Sequence, residues 1–225
     1  MPNINGYIFD LDGVIVDTAR FHFLSWRETA RELGFELTEE DNERLKGVSR
    51  MESLEIILKL AGISLDEGRK RVLAQKKNSR YLEWVETLRP SDTLPGVVDF
   101  LRTLKEGKNR IALASASKNA QRVIALLKVA PFFDAVIDGS MIEKTKPDPE
   151  IFIKAARVLA RHPERCAVFE DAKNGIEAAK AAGMTAIGIG LPENLGGADW
   201  VIPDFSPASI EILTRGGIVE CARSN

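Results

Sequence analysis

Cysteine is scarce in this chain: two in 225 residues, Cys166 and Cys221, with no metal-type spacing between them. Cys166 opens an apolar run and reads as a buried thiol, so a reducing cytoplasm is the expected location. No apolar run approaches the ~18 residues a transmembrane helix needs, which excludes a helical membrane protein. Residues Met1–Gly6 carry no basic region followed by an apolar stretch, so no secretory signal is expected. Neither sign of charge dominates. Lys+Arg number 31 against 33 Asp+Glu, a net charge of -2, which argues against nucleic acid or an acidic membrane as partner. Internal repeats and low-complexity stretches are also missing. What is present, 44% hydrophobic and 28% charged residues, suits one large folded domain or a domain with a smaller insertion. It excludes a disordered or collagen-like chain.

Six short apolar runs each end in acidic, Ser or Gly residues: 7–10, 110–115, 135–138, 166–171, 185–190 and 200–204. Runs this short and apolar predict strands buried on both faces. Helical patterns lie between them: Val97, Leu101 and Leu104 before Gly107; Phe152, Ala155, Ala156 and Leu159 after Asp148-Pro149; Ile176, Ala179 and Ala182 before Gly183. This alternation predicts right-handed crossovers in a doubly wound, Rossmann-like parallel sheet. Residues 17–87 break the pattern, with no convincing strand and two helical stripes: Leu54, Ile57, Leu58 and Ala61, then Tyr81, Val85 and Leu88. The expectation is an all-helical cap over 17–87 inserted into a core of 1–16 and 88–225. Ligands of open α/β sheets bind at the strands' carboxyl ends, so the cap would cover the site.

The chemistry-bearing residues sit at those ends. Asp10 and Asp12 follow the first run, and two such carboxylates repel unless a cation or proton separates them. A solvated strand end with an Asx-turn would read the same way. Glu170-Asp171 ends another run and would meet the first pair at the same edge, where converging carboxylates suit Mg²⁺. Capping the next helix is its plainer reading. Ser115-Ala116-Ser117-Lys118-Asn119 could hold an anion on hydroxyls and amides, or could simply start a helix. Lys146 stands in a Pro-flanked turn, where a lone lysine is ordinarily solvated.

Together, in this order, the four segments resemble the haloacid dehalogenase-like phosphotransferase superfamily across the whole chain. The cap is similar to that of its β-phosphoglucomutase members. The stretches that carry the likeness are Asp10-Leu11-Asp12-Gly13-Val14-Ile15 with Asp17-Thr18, Phe21-His22-Phe23 with Trp26, Leu45-Lys46-Gly47-Val48-Ser49-Arg50, Lys77-Asn78, Ala112 to Asn119, and Lys146-Pro147. The departures are Ala172-Lys173-Asn174, where the family commonly has Ser and then a neutral residue such as Gln. They point to altered tuning of metal affinity. Residues from Asn194 onward match less well and read as packing.

The resemblance implies a Mg²⁺-dependent enzyme interconverting β-D-glucose 1-phosphate and β-D-glucose 6-phosphate. An aspartyl phosphate would form on the enzyme, with β-D-glucose 1,6-bisphosphate as intermediate and activator. Asp10 would be the nucleophile and Asp12 the general acid and base. Ser115, Lys146 and the amide near Ala116 would offset phosphoryl charge. Mg²⁺ would be held by Asp10, the Asp12 carbonyl and Asp171, with Glu170 beside it. Arg50 would grip the distal phosphate. Lys46, Gly47, Val48, Ser49, Ser53 and Lys77 would line the sugar from the cap, and Ser117, Lys118 and Asn119 from the core. Thr18, His22 and Trp26 complete the expected site, His22 reaching towards Asp12. By itself His22 could be a satisfied helix histidine, and Trp26 cap core. The chain is expected to act as a monomer. Two other readings stay open: a sugar-phosphate phosphatase with the same nucleophile, and a phospho-ligand-binding protein without turnover.

Overall fold

The computed structural model describes residues 4–219, so Cys221 lies outside the described residues. Six strands form one sheet: β1 (Gly6–Phe9), β2 (Arg110–Ala114), β3 (Ala135–Ile137), β4 (Cys166–Glu170), β5 (Thr185–Ile189) and β6 (Trp200–Ile202). All pair in parallel, in the order β3-β2-β1-β4-β5-β6. Each strand falls on one of the six apolar runs and stops one or two residues before its end. The closing polar residues therefore hang off the carboxyl edge.

Period-two side-chain alternation sorts these strands into two cores. Tyr7, Phe9, Ile111, Leu113, Ala167 and Phe169 face one layer, while Ile8, Ala112, Ala114, Cys166 and Val168 face the other. On the first face Phe9 stacks on Phe169 with ring centroids 4.5 Å apart, and Phe100 and Phe205 close around them. Burying each ring contributes roughly 1.5–3 kcal/mol. This aromatic block lies directly beneath the residues that follow Phe9 and Phe169.

Nine helices surround the sheet among the described residues. In the cap region run α1 (Ala19–Glu32), α2 (Glu39–Glu43), α3 (Arg50–Ala61) and α4 (Glu67–Val85). The α/β region holds α5 (Val97–Glu106), α6 (Ala120–Leu126), α7 (Glu150–Val158), α8 (Lys173–Ala181) and α9 (Pro207–Arg215). Local signals set their ends. Ser49 accepts the Glu52 amide to start α3, Gly62 ends it in the left-handed conformation, and Asp66 caps α4. No strand interrupts 19–85, and Trp26, Leu54, Ile57, Leu58 and Ala74 form a separate apolar cluster there. The base of that helical region is tied into the sheet's core: Phe21, Tyr81, Val85 and Leu88 join the first layer. At the two chain crossings Val16 pairs with Thr93, and Leu94 donates to the Ile15 carbonyl at 2.9 Å.

Candidate active site

Strand order reverses at β1, whose neighbours are β2 and β4, and such a switch point opens a crevice at the carboxyl edge. Register decides what meets there. Phe9 lies opposite Phe169 on one side and Leu113 on the other, so Asp10 emerges beside Glu170 and one residue short of Ser115. The Asp10 amide donates to the Phe169 carbonyl at 3.0 Å, which fixes the nucleophile candidate to β4. Two glycines make room for the acids. A Cβ on Gly13, which has φ of +80°, would run into the Asp171 carboxylate. On Gly175, in the first turn of α8, it would overlap the Glu170 carboxyl group.

Lys146, which a loop position would ordinarily leave in water, is buried among these acids. Its Nζ lies 2.5 Å from Asp10 Oδ1 and 2.8 Å from Glu170 Oε2. Burial opposes its charge, but Asp10 and Glu170 together outweigh burial and hold the ammonium protonated. Glu170 is further engaged by the Ala172 amide at 3.3 Å. Asp10, Glu170 and Asp171 offer carboxylate oxygens within 4.8 Å of one another, a donor set suited to a hard divalent cation. Burial and the adjoining carboxylates raise the Asp171 carboxyl well above its ordinary value.

Asp12 has a different environment. Its carboxylate accepts a hydrogen bond from the buried Thr18 hydroxyl and faces His22 Nε2 at 3.7 Å. Burial, reinforced by the Asp10 charge, raises it to about 6. A carboxyl group that exchanges its proton near neutrality can work as acid and as base. Across from it Lys77 donates to His22 Nδ1 at 2.8 Å and lies 4.8 Å over the Trp26 ring. Burial, then the charge of Arg50, lowers Lys77 to about 7.

One cavity gathers these groups. Asp10, Asp12, His22, Trp26, Lys46, Gly47, Val48, Ser49, Arg50, Ser53, Lys77, Ser115, Ala116, Ser117, Lys118, Asn119, Glu170 and Asp171 all line it. Thr18 and Lys146 stand behind the wall, bonded to Asp12 and Asp10 respectively. Lys46, which lines the cavity, has its Nζ 3.0 Å from Glu43 and 4.0 Å from Asp171. Trp26 serves both readings, packed in the cap's apolar cluster and lining the cavity. Sequence reasoning missed Asn42, which lines the cavity from α2, and Tyr81, whose ring centre lies 4.1 Å from His22. Tyr81 had a signal, lying four residues after Lys77 on one helix face; Asn42 had none. Asn174, beside the two departures Ala172 and Lys173, donates from Nδ2 to the Lys46 carbonyl at 3.2 Å.

Known proteins resemble this chain in sequence and fold. A sequence model of the haloacid dehalogenase-like hydrolases matches residues 4–183. The chain is 43% identical to a β-phosphoglucomutase of Bacillus subtilis over 208 residues, covering 92% of each protein. It is 35% identical to a phosphorylated carbohydrates phosphatase of Thermotoga maritima, covering 80% of this chain and 82% of that protein. The crystal structure of a β-phosphoglucomutase from Clostridium difficile superimposes with a TM-score of 0.91 at 38% identity, over 95% of this chain and 97% of that one. On these matches the chain belongs to the haloacid dehalogenase-like hydrolases.

Proposed function

We propose that the chain is a β-phosphoglucomutase, converting β-D-glucose 1-phosphate and β-D-glucose 6-phosphate into one another. The observation that carries this reading is a pair of cations in the cap. Among the described residues no carboxylate lies within ion-pair distance of Arg50 or Lys77, although Lys77 is buried and Arg50 is partly so. Burying a cation without a partner is costly, and an anionic ligand supplies the missing charge. Arg50 lines the same cavity as Asp10, so a substrate with one phosphate at Asp10 and another at Arg50 satisfies both ends. The similarity to two β-phosphoglucomutases over nearly the whole chain supports the same conclusion.

In this reading the Asp10 carboxylate attacks phosphorus, and the sugar oxygen leaves with a proton from Asp12. The next sugar hydroxyl returns its proton to Asp12 as it takes the phosphoryl group from Asp10. Thr18 holds Asp12 in place for both steps, and His22 faces it at 3.7 Å. Ser115 would face the transferring oxygens from the cavity wall and Lys146 would hold its charge on Asp10 just behind it, and such fixed charges are the main help a protein gives this reaction. Asp10, Asp171 and the Asp12 carbonyl would hold Mg²⁺, with Glu170 orienting Lys146 beside them. When bound, the ion neutralises phosphoryl charge and relieves repulsion among the carboxylates. β-D-glucose 1,6-bisphosphate, the doubly phosphorylated species, would turn end for end under the cap.

Similarity to a carbohydrate phosphatase supports a second reading, in which water takes the phosphoryl group instead. A coupled assay of β-D-glucose 1-phosphate with trace bisphosphate, run beside release of inorganic phosphate, decides between them. Glucose 6-phosphate forming much faster than phosphate is the expected result. Phosphate release as the dominant reaction would make the phosphatase reading the better one.

A further inference from the structure

Behind the substrate cavity lies a second one, bounded by Gly13, Arg44, Leu191 and Glu193. Lys46 and Asp171 line both cavities, and Asn174 lines the rear one. The partition between the two is narrow. The Lys46 carbonyl accepts the Asn174 side-chain amide at 3.2 Å, and Lys46 Nζ stands 4.0 Å from Asp171 Oδ2. Gly47 rests on the Lys146 side chain; a Cβ there would lie 3.5 Å from Lys146 Cδ and 3.7 Å from Asn174 Cβ. We infer that Asn174 is a positioning residue, tying the cap loop to the core and closing the rear of the active site against water.

Apart from the longer approach of Lys46 Nζ to Asp171, the other bonds between cap and core lie elsewhere. Thr145 donates to Glu52 at the start of α3, and Asn119 donates to Asn78 on α4 at 2.9 Å. Both would survive loss of Asn174 and keep the cap attached, but neither holds Lys46. The inference rests on the phosphoryl-transfer reading and adds a cause for transfer outrunning hydrolysis. In hydrolysis, water oxygen bonds to phosphorus as the bond from phosphorus to the Asp10 oxygen breaks. Asp10 returns as a carboxylate, and the protons of the water end on orthophosphate or in solvent. A loop released from Asn174 admits water from the rear cavity to that phosphorus atom.

The test uses the full chain with Mg²⁺. Asp10 is phosphorylated by acetyl phosphate, the donor is removed, and loss of label is timed with and without β-D-glucose 1-phosphate. Asn174→Ala removes the side-chain donor, and Asn174→Asp keeps its shape without donating. Both are expected to lose label to water about 3- to 10-fold faster than the wild type, the range one hydrogen bond supplies. The rate of phosphorylation by acetyl phosphate should stay unchanged, as a general loss of packing would not allow. Label loss to water within twofold of wild type in Asn174→Ala overturns the inference. So does an equal slowing of every step. If the wild type labels but no sugar phosphate accepts the group, the mutase reading fails while the hydrolysis comparison still decides the role of Asn174. A chain that takes no label from acetyl phosphate sinks both.

Discussion

Lys77 Nζ lies 2.8 Å from His22 Nδ1, so the charge of the lysine and the tautomer of the histidine are linked. When Lys77 is protonated it can only donate, so Nδ1 accepts and the ring proton sits on Nε2, 3.7 Å from Asp12 Oδ1 and beyond hydrogen-bond range. Burial, then the nearby charges of Lys77 and Arg50, keeps the imidazole neutral. A protonated lysine in the cap thus turns a ring N–H towards the Asp12 carboxylate in the core.

The same lysine costs the free protein stability. Lys77 is lowered from 10.5 to about 7 by burial, so folding opposes its protonation. Between those two values the unfolded chain binds a proton that the folded chain does not, and stability therefore rises with pH across that window. Below about 7 the full penalty applies, a few kcal/mol. Lys77→Met, similar in length and uncharged, should melt several degrees higher than wild type at pH 6, with the difference closing towards pH 10. Thermal unfolding at a series of pH values checks this. Equal melting temperatures at pH 6 would mean that Lys77 is not held in its buried setting. Mutase activity should fall in the same variant, because the site gives up an anion partner.

Asp10→Asn retains the shape of the side chain and removes its attacking charge. Phosphoenzyme formation should vanish and turnover drop by at least ~10³-fold. Labelling with a phosphodonor, followed by acid quench, measures the first; the coupled assay measures the second. Residual mutase activity in a clean preparation would move the nucleophile elsewhere.

The three carboxylates within 4.8 Å of one another make metal dependence a sharp expectation. Exhaustive chelation should stop phosphorylation of Asp10, and Mg²⁺ should restore it. Gly13→Ala drives a methyl group into the Asp171 carboxylate. It should raise the Mg²⁺ concentration needed for half-maximal phosphorylation by about tenfold or more, the size of effect seen when a metal site's supporting contacts are disturbed. Unchanged Mg²⁺ dependence in that variant would place the ion away from Asp171.

The sheet was readable in the sequence because parallel strands buried on both faces leave short continuous apolar runs, and all six runs became strands. Their ends also placed Asp10, Ser115 and Glu170, since neighbouring strands in register must present their last residues together. Lys146 was harder. A loop lysine is normally solvated, and its burial follows only from two acids that reach it from other strands. Helix α2 went unseen for a local reason: its five residues bury nothing, and a capping box of Thr38 and Asp41 holds it instead of an apolar face. Asn42 was lost with it. The bond from Asn174 to Lys46 joins residues 128 positions apart, and no local pattern records such a pairing.

Arg50 separates a mutase from a phosphatase. Both form the same aspartyl phosphate, so the difference lies in what reaches it next. Arg50 opens α3 just after the Ser49 cap, where it lines the cavity beyond the Asp10 end, and no carboxylate pairs with it among the described residues. A guanidinium so placed can take a distal phosphate bidentately and draw the cap shut on it. Removing a buried charged contact of this kind costs ~2–5 kcal/mol, or roughly 30- to 5,000-fold. Arg50→Ala should therefore lose mutase turnover within that range while Asp10 still accepts a phosphoryl group from acetyl phosphate. Donors without a distal phosphate should hardly notice the change. Hydrolysis should gain on transfer, because a cap without its phosphate grip stays open to water. The comparison needs two rates from one variant: glucose 6-phosphate formed, and phosphate released. If both remain at wild-type values, Arg50 grips no distal phosphate, and the cap cannot be what selects a sugar over water.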